Sequence, residues 1–378
     1  MRWIDEPERE PALSDLPMPM LRAALAARPD DKAYLALLGD ALMAEGQADA
    51  AIDAFERSAR QPGSGVWPRL IAAHRRKGDL AAALAAHDAA PPSSAVAIEH
   101  ARTLRKLGRT AEAGATLAEL VRADPADPFA LEQWLELLAS DADGARLLDA
   151  CASVAPPLRD SALVRGHVAI GLSRVGREDE ARALVDVDRH VWRGSIAVPP
   201  GYADIAAFNR ALATEMRAEV GRVSAGMLRI DYRPRTVDRP ARTALLDVIR
   251  DAFAAYIDSF AKRGLRDVMQ PPPAVAKLAH ASVQLTHDGA NGEHIHGEGY
   301  LSAVYHVTVP PDLTGRAGAL SVGPTRSYTR GYQGCWGVRD IAAVPGWLTI
   351  FPSHIFHDVV PTGVATPRLS IAADLRPA

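Results

Sequence analysis

The sequence predicts a multidomain α+β protein in which an α-helical array precedes a strand-rich domain. Its 378 residues exceed the usual limit for one hydrophobic core, so two domains are expected. Alanine and leucine dominate the first half, whereas Val, Ile, Tyr, Trp and Gly cluster after about residue 275. Since the first set favours helices and the second favours strands, we place the helical domain at residues 1–192 and the strand-rich domain at residues 193–378.

Charge and composition argue against several classes of protein. The formal net charge is −3, and acidic and basic residues are well mixed, which favours neither a nucleic-acid partner nor an anionic membrane surface. The first residues lack the pattern of a secretory signal, and no run of eighteen apolar residues occurs. We therefore expect a cytoplasmic protein without a membrane span. Its two cysteines, Cys151 and Cys335, lie in different predicted domains and are expected to be reduced thiols.

The helical half contains an internal repeat. Glycines recur at spacings of 30 to 36 residues, where a first helix should turn into a second: Gly46, Gly78, Gly108, Gly144 and Gly176. Prolines recur at a similar spacing, where they would end the second helix: Pro29, Pro62, Pro91, Pro125 and Pro156. This pattern resembles the tetratricopeptide repeat over roughly residues 20–190.

The first clear repeat unit spans Leu35 to Pro62. Gly39 and Ala51 supply small residues where paired helices approach, and Phe55 fills the space between units. Later units are degenerate, and an irregular helical bundle is the alternative. Stacked repeats typically form a groove that binds peptides, so a peptide or protein partner is expected; the alternative is that the helices only support or dimerise the second domain.

The second half changes from helices to strands. After a boundary at Pro199-Pro200-Gly201, two helices are predicted at about 203–220 and 240–264. Short apolar or alternating segments bounded by Gly and Pro then predict strands at Ala276–Thr286, Tyr300–Val309, Ala317–Val322, Trp347–Phe351 and Arg368–Leu375. Many short strands without intervening helices indicate a sandwich or barrel.

Three histidines are candidate metal ligands. His294 and His296 are two residues apart, so on a strand they would project from one face, and His357 follows 61 residues later. Imidazole is the commonest metal ligand, and a site with few protein ligands leaves positions open for a cosubstrate and oxygen. Arg368 opens the last strand with Ser370 on the same face, and such a pair can clamp a carboxylate.

Three segments carry a second resemblance. HIHGEGYLSAVYHVTVP (His294–Pro310), GWLTIFPSHIFHDVVP (Gly346–Pro361) and RLSIAADLRP (Arg368–Pro377) are similar to the 2-oxoglutarate/Fe(II) oxygenases that follow tetratricopeptide repeats in bacterial proteins. The resemblance covers about residues 195–378 and implies a double-stranded β-helix, a jelly-roll or cupin-like fold. It also implies Fe(II) held by His294, His296 and His357, 2-oxoglutarate held by Arg368 and Ser370, and molecular oxygen as a substrate.

One position departs from the pattern of the wider superfamily. Most members carry a carboxylate two residues after the first histidine, and this chain carries His296 there. Either the three imidazoles form the site, or His296 and Glu298 form the pair and His294 lies behind the ligands without touching the metal. We favour the three histidines.

Other residues have weaker assignments. Tyr305 is a candidate 2-oxoglutarate contact, with a core position as the alternative, whereas His280, His287, His306 and His354 have no spacing that demands a role. The Gly323–Pro345 segment is the candidate substrate loop. The expected activity is hydroxylation of an amino-acid side chain in a peptide or protein. The alternatives are an interaction protein with an inactive β domain and a three-histidine dioxygenase that does not use 2-oxoglutarate.

Overall fold

The computed structural model describes residues 1–4, 18–156, 158–218 and 239–378, and the backbone alone of 222–224 and 227–231. By its internal contacts the chain divides into two compact units. The repeat unit comprises Arg9–Leu137, and the second unit, called the β-sheet unit, comprises Met1–Glu8 with Leu138–Ala378. This division falls before the helices at 144–184, earlier than the predicted domain boundary at residue 192. None of the described helices is long and apolar enough to cross a bilayer.

The repeat unit consists of antiparallel helix pairs. Its helices are α1 (Met18–Ala27), α2 (Lys32–Ala44), α3 (Ala48–Ala59), α4 (Trp67–Lys77), α5 (Leu80–Ala89), α6 (Ser94–Lys106), α7 (Thr110–Ala123) and α8 (Pro128–Ala139), the last of which crosses the division. A Cβ at Gly39 would collide with the Phe55 ring, and Ala51 is fully buried, as the repeat pattern predicts. Gly46, Gly78 and Gly108 have positive φ at the predicted turns. The tetratricopeptide-like arrangement is thus confirmed.

Five of the described α-helices belong to the β-sheet unit. They are α9 (Gly144–Ser153), α10 (Ala162–Arg174), α11 (Glu178–Leu184), α12 (Ile205–Arg217) and α13 (Pro240–Asp258). The last two agree with the helices predicted at 203–220 and 240–264. Asp204 caps α12 by accepting from the Ala207 amide at 2.6 Å, which satisfies one of the unpaired N–H groups at the helix start.

Twelve strands are described, and they form two sheets. The strands are β1 (Arg2–Ile4), β2 (Trp192–Ser195), β3 (Arg222–Ser224), β4 (Met227–Asp231), β5 (Val275–Leu285), β6 (Asn291–His294), β7 (Leu301–Thr308), β8 (Leu320–Val322), β9 (Arg339–Ile341), β10 (Trp347–Pro352), β11 (His357–Val359) and β12 (Arg368–Pro377). The larger sheet has the order β2-β10-β7-β12-β5-β4-β3, and β1 pairs in parallel with β5. The smaller sheet has the order β6-β11-β8-β9. The predicted double-stranded β-helix is confirmed, and each predicted strand is present within a few residues of its expected bounds.

Alternation along the larger sheet separates its two faces. On β12, Leu369, Ile371 and Leu375 join the main core, which α12 and α13 complete with Phe208 and Phe253. Successive side chains of a strand point to opposite faces, so the even-numbered residues of β7 and β12 face the other way. That inner face carries the polar side chains of the candidate site.

Candidate active site

Three histidines converge from separate segments. His294 ends β6, His357 begins β11 directly opposite it, and His296 follows β6 in a loop. Their candidate ligand atoms all lie within 4.8 Å of one another, and within the described residues this is the one such group of His, Cys, Asp or Glu. The prediction that His294 and His296 share a strand is therefore wrong in detail, because the strand ends at His294. His357 is the first residue of a separate strand in the smaller sheet.

The hydrogen bonds of these histidines fix which nitrogen each one offers. His294 donates from Nδ1 to the Gly292 carbonyl at 2.7 Å, and His357 donates from Nδ1 to the Ile355 carbonyl at 3.1 Å. His296 donates from Nδ1 to Asp374 at 2.5 Å. In its neutral form an imidazole carries one hydrogen, so with each Nδ1 donating, the Nε2 atoms of the neutral rings present lone pairs.

The lone pairs face one another at short range. The Nε2 atoms of His294 and His296 are 3.1 Å apart, and the rings of His294 and His357 have centroids 4.2 Å apart. Burial and the two neighbouring imidazoles lower the pKa of His357 well below its ordinary value, so this ring stays neutral. Converging neutral imidazole lone pairs repel each other unless a cation lies between them, and the three residues therefore fit a divalent metal ion.

A buried carboxylate is hydrogen-bonded to one of the three histidines. Asp374, on the inner face of β12, accepts from His296 and also from Ser302 Oγ at 2.8 Å; Ser302 in turn lies 2.9 Å from Ser353 Oγ. Burial opposes the charge of Asp374, but the hydrogen bonds from His296 and Ser302 hold the carboxyl pKa below its ordinary value. Sequence reasoning missed Asp374, although its even spacing from Arg368 and Ser370 places all three on one strand face.

Glu298 lies outside the histidine group. Its side chain is 64% exposed, and its carboxylate accepts from Arg376 at 3.1 Å. The arrangement brings together the three histidines that the sequence favoured, while Glu298 pairs on the surface.

Arg368 and Ser370 lie together on the inner face, as the alternation predicts. Ser370 pairs with His306 on β7 and with Val283 on β5, and both Arg368 and Ser370 are buried. Burial lowers the pKa of Arg368 to about 10, and no described carboxylate acts to raise it. Its Nε and Nη1 atoms have no hydrogen-bond partner among the described residues. A buried, uncompensated guanidinium with free donors fits a carboxylate ligand.

The assignment of Tyr305 as a cosubstrate contact is wrong. Tyr305 is an odd-numbered residue of β7, so its side chain lies in the core against the helices rather than on the inner face. Its hydroxyl donates to Asn209 Oδ1 at 2.7 Å, and burial raises its pKa.

The Gly323–Pro345 segment, predicted to contact substrate, is held against α10. The Tyr328 hydroxyl donates to His167 Nε2 at 3.0 Å, and the Tyr332 hydroxyl lies 2.8 Å from Ser173 Oγ. The Cys335 amide donates to the same serine oxygen at 2.9 Å. The two tyrosines therefore fasten this loop to a helix of the same unit.

A double-stranded β-helix with three convergent imidazoles and a buried arginine has the make-up of a metal-dependent oxygenase domain. Residues 282–374 match the model of the family described as "Putative 2OG-Fe(II) oxygenase". The C-terminal part of the chain therefore carries a domain of this family. The family implies iron and 2-oxoglutarate as cofactor and cosubstrate.

Solved structures provide further comparisons. The chain is 17% identical to a prolyl-4-hydroxylase from Pseudomonas putida, with coverage of 50% of this chain and 93% of that one and a TM-score of 0.35. It is 13% identical to HygX from Streptomyces hygroscopicus, with nickel and 2-oxoglutarate bound, covering 53% and 87% at a TM-score of 0.36. It is 14% identical to the tetratricopeptide protein YrrB, covering 43% and 86% at a TM-score of 0.32. No curated protein sequence matches this chain.

Proposed function

We propose that this protein is a dioxygenase whose iron is held by His294, His296 and His357, and whose 2-oxoglutarate is held by Arg368 and Ser370. The proposal rests chiefly on the convergence of three Nε2 lone pairs, each fixed by a hydrogen bond at Nδ1. The buried Arg368, which has no described counter-ion, supports the proposed binding of 2-oxoglutarate.

When bound together, Fe(II) and 2-oxoglutarate supply the oxidation of a substrate C–H bond by oxygen, with release of succinate and carbon dioxide. The chain's own residues would bind the metal and the cosubstrate and orient them. Asp374 holds the His296 ring through Nδ1, which would leave Nε2 to bind the metal, and Arg368 would bind the far carboxylate of the cosubstrate. The burial of His357, Arg368 and Ser370 would limit the access of water to their part of the site.

The proposed substrate is an amino-acid side chain in a peptide or protein, and the proposed reaction is its hydroxylation. The repeat unit supports this choice, because stacked helix pairs create an extended surface that suits a peptide chain. Incubation with a degenerate peptide library should yield peptides that gain one oxygen atom, detected by mass spectrometry; modification of free amino acids alone would contradict the peptide assignment.

The activity is tested by anaerobic titration of the full chain with Fe(II) and then 2-oxoglutarate. A metal-to-ligand charge-transfer band should appear, and admission of air should release succinate. Absence of both would refute the proposal and favour an interaction protein with an inactive β domain. Iron binding and oxygen consumption without any dependence on 2-oxoglutarate would instead identify a three-histidine dioxygenase that uses no 2-oxoacid.

A further inference from the structure

His306 lies on the inner face of β7, apart from the metal-binding group. It is fully buried, pairs with Ser370 on β12, and contacts Arg368 through Nδ1 at 3.1 Å from Nη2. No spacing in the sequence singled out this histidine. The sheet register places it directly beside the two residues assigned to the cosubstrate carboxylate.

The contact with Arg368 determines the tautomer of His306. A guanidinium can only donate, so His306 Nδ1 must accept and the ring hydrogen must be on Nε2. Burial and the charges of Arg368 and Arg193 lower the pKa of His306 well below its ordinary value, so the ring is neutral. His306 therefore presents a single fixed N–H donor.

That donor has no acceptor among the described residues, and other buried polar atoms of the same sheet also lack partners. Among the described residues, His306 Nε2 has no hydrogen-bond partner, and the same is true of Arg368 Nε and Nη1. The Oγ1 atoms of Thr308 and Thr349, on β7 and the adjacent β10, are also buried without a described partner. A buried N–H group left unpaired is costly, so the unpaired donors of His306 and Arg368, which contact each other, indicate a ligand with acceptor oxygens.

We propose that His306 is a cosubstrate-binding residue that donates from Nε2 to the far carboxylate of the 2-oxoacid, and so selects dicarboxylic over monocarboxylic 2-oxoacids. This inference rests on the proposed function, which places that carboxylate at Arg368 and Ser370. A hydrogen bond to a charged acceptor is worth about a 10- to 100-fold change in affinity.

The test uses the full chain loaded with Mn(II) under anaerobic conditions and measures Kd by isothermal titration calorimetry. The two probes are 2-oxoglutarate and 2-oxobutyrate, which lacks the far carboxylate. In His306→Asn, the amide oxygen still accepts from Arg368, but the shorter side chain places no N–H group at the position of His306 Nε2. In His306→Gln, the longer side chain restores an N–H donor. Tyr305→Phe is the control on the opposite face of the same strand.

His306→Asn should weaken 2-oxoglutarate binding about 10- to 100-fold and leave the 2-oxobutyrate Kd unchanged. His306→Gln should recover most of the loss, and Tyr305→Phe should bind as the wild type does. If the ratio of the two Kd values does not change in His306→Asn, whether both values stay the same or both rise equally, the inference is overturned and the proposed function stays intact. A wild-type protein without preference for 2-oxoglutarate would refute both.

Discussion

At the scale of single residues, the ability of the three histidines to bind a metal depends on which nitrogen of each ring carries the hydrogen. His296 occupies the position at which the resemblance leads one to expect a carboxylate. A carboxylate is nevertheless nearby, because Asp374 accepts a hydrogen bond from His296 Nδ1. In the proposed site the negative charge would therefore act through the imidazole and not directly on the metal. Such a partner fixes the tautomer and orientation of the ring and makes Nε2 a better ligand.

Replacement of Asp374 tests this arrangement. Asp374→Ala should lower the affinity for a divalent metal by about 10- to 100-fold, because the His296 ring loses its fixed tautomer and orientation. The affinity is measured by competition with a chromophoric chelator for Zn(II).

The matched control is Glu298→Gln. Glu298 pairs with Arg376 on the surface, so its variant should bind metal as the wild type does. A loss in Glu298→Gln as large as that in His357→Ala would mean that Glu298, and not His294, is a ligand.

At the scale of elements, the helix α10 packs against the segments that carry the candidate histidine ligands. In α10, Gly166 packs so closely that an added Cβ would lie 2.8 Å from the His354 carbonyl oxygen and 3.2 Å from Ile295 Cδ1. His354 and Ile295 are close in sequence to His357 and to the His294–His296 pair. The position of α10 thus controls the spacing of the segments that carry the candidate ligands.

Gly166→Ala should show this dependence. Alanine normally stabilises a helix interior by up to about 1 kcal/mol relative to glycine, but overpacking against backbone costs about 1–3 kcal/mol, so net destabilisation is expected. Urea unfolding measures the stability, and chelator competition measures a parallel loss of metal affinity. Gly65→Ala, where a Cβ would meet open space, should change neither quantity. Equal stability of the two variants would contradict the assigned packing.

At the scale of the molecule, the β-sheet unit buries several neutral histidines. Burial lowers the pKa of His167 and His190 to about 4 and that of His354 to about 3. In the unfolded chain these rings take up protons near pH 6.5, whereas in the folded chain they stay neutral until about pH 4 or below. The unfolded state therefore binds more protons in this window, and stability must fall as the pH falls through it.

His167→Gln should reduce this acid sensitivity. His167 contributes a loss of about 1.4 kcal/mol per pH unit between roughly pH 6.5 and 4, and the variant lacks that contribution. Urea unfolding at a series of pH values measures the two slopes. The variant should be less stable at pH 7, because Tyr328 and the Leu163 carbonyl lose their partner, yet it should lose less stability on acidification. Identical slopes would show that His167 is not buried in its neutral form.

The local pattern of the sequence determined the repeats, the main strands and the pairing of Arg368 with Ser370. Helix pairs, turns and strand alternation depend on neighbours a few residues away, so glycine spacing and apolar periodicity were sufficient to predict them. The three candidate ligands could also be named from the sequence, because His294 and His296 are two residues apart and the resemblance to the oxygenase family implies His357 as the third.

Only the tertiary structure decided which strand face points inward and which side chains meet there. Alternation separates Tyr305 from His306, but it does not say which of the two lies in the core; the packing of α12 and α13 does. Asp374 reaches His296 from 78 residues away, and His306 reaches Arg368 from 62 residues away, through the pairing of β12 with β7. Such contacts depend on sheet register, which is fixed by the burial of one whole face and so cannot be deduced from any one segment.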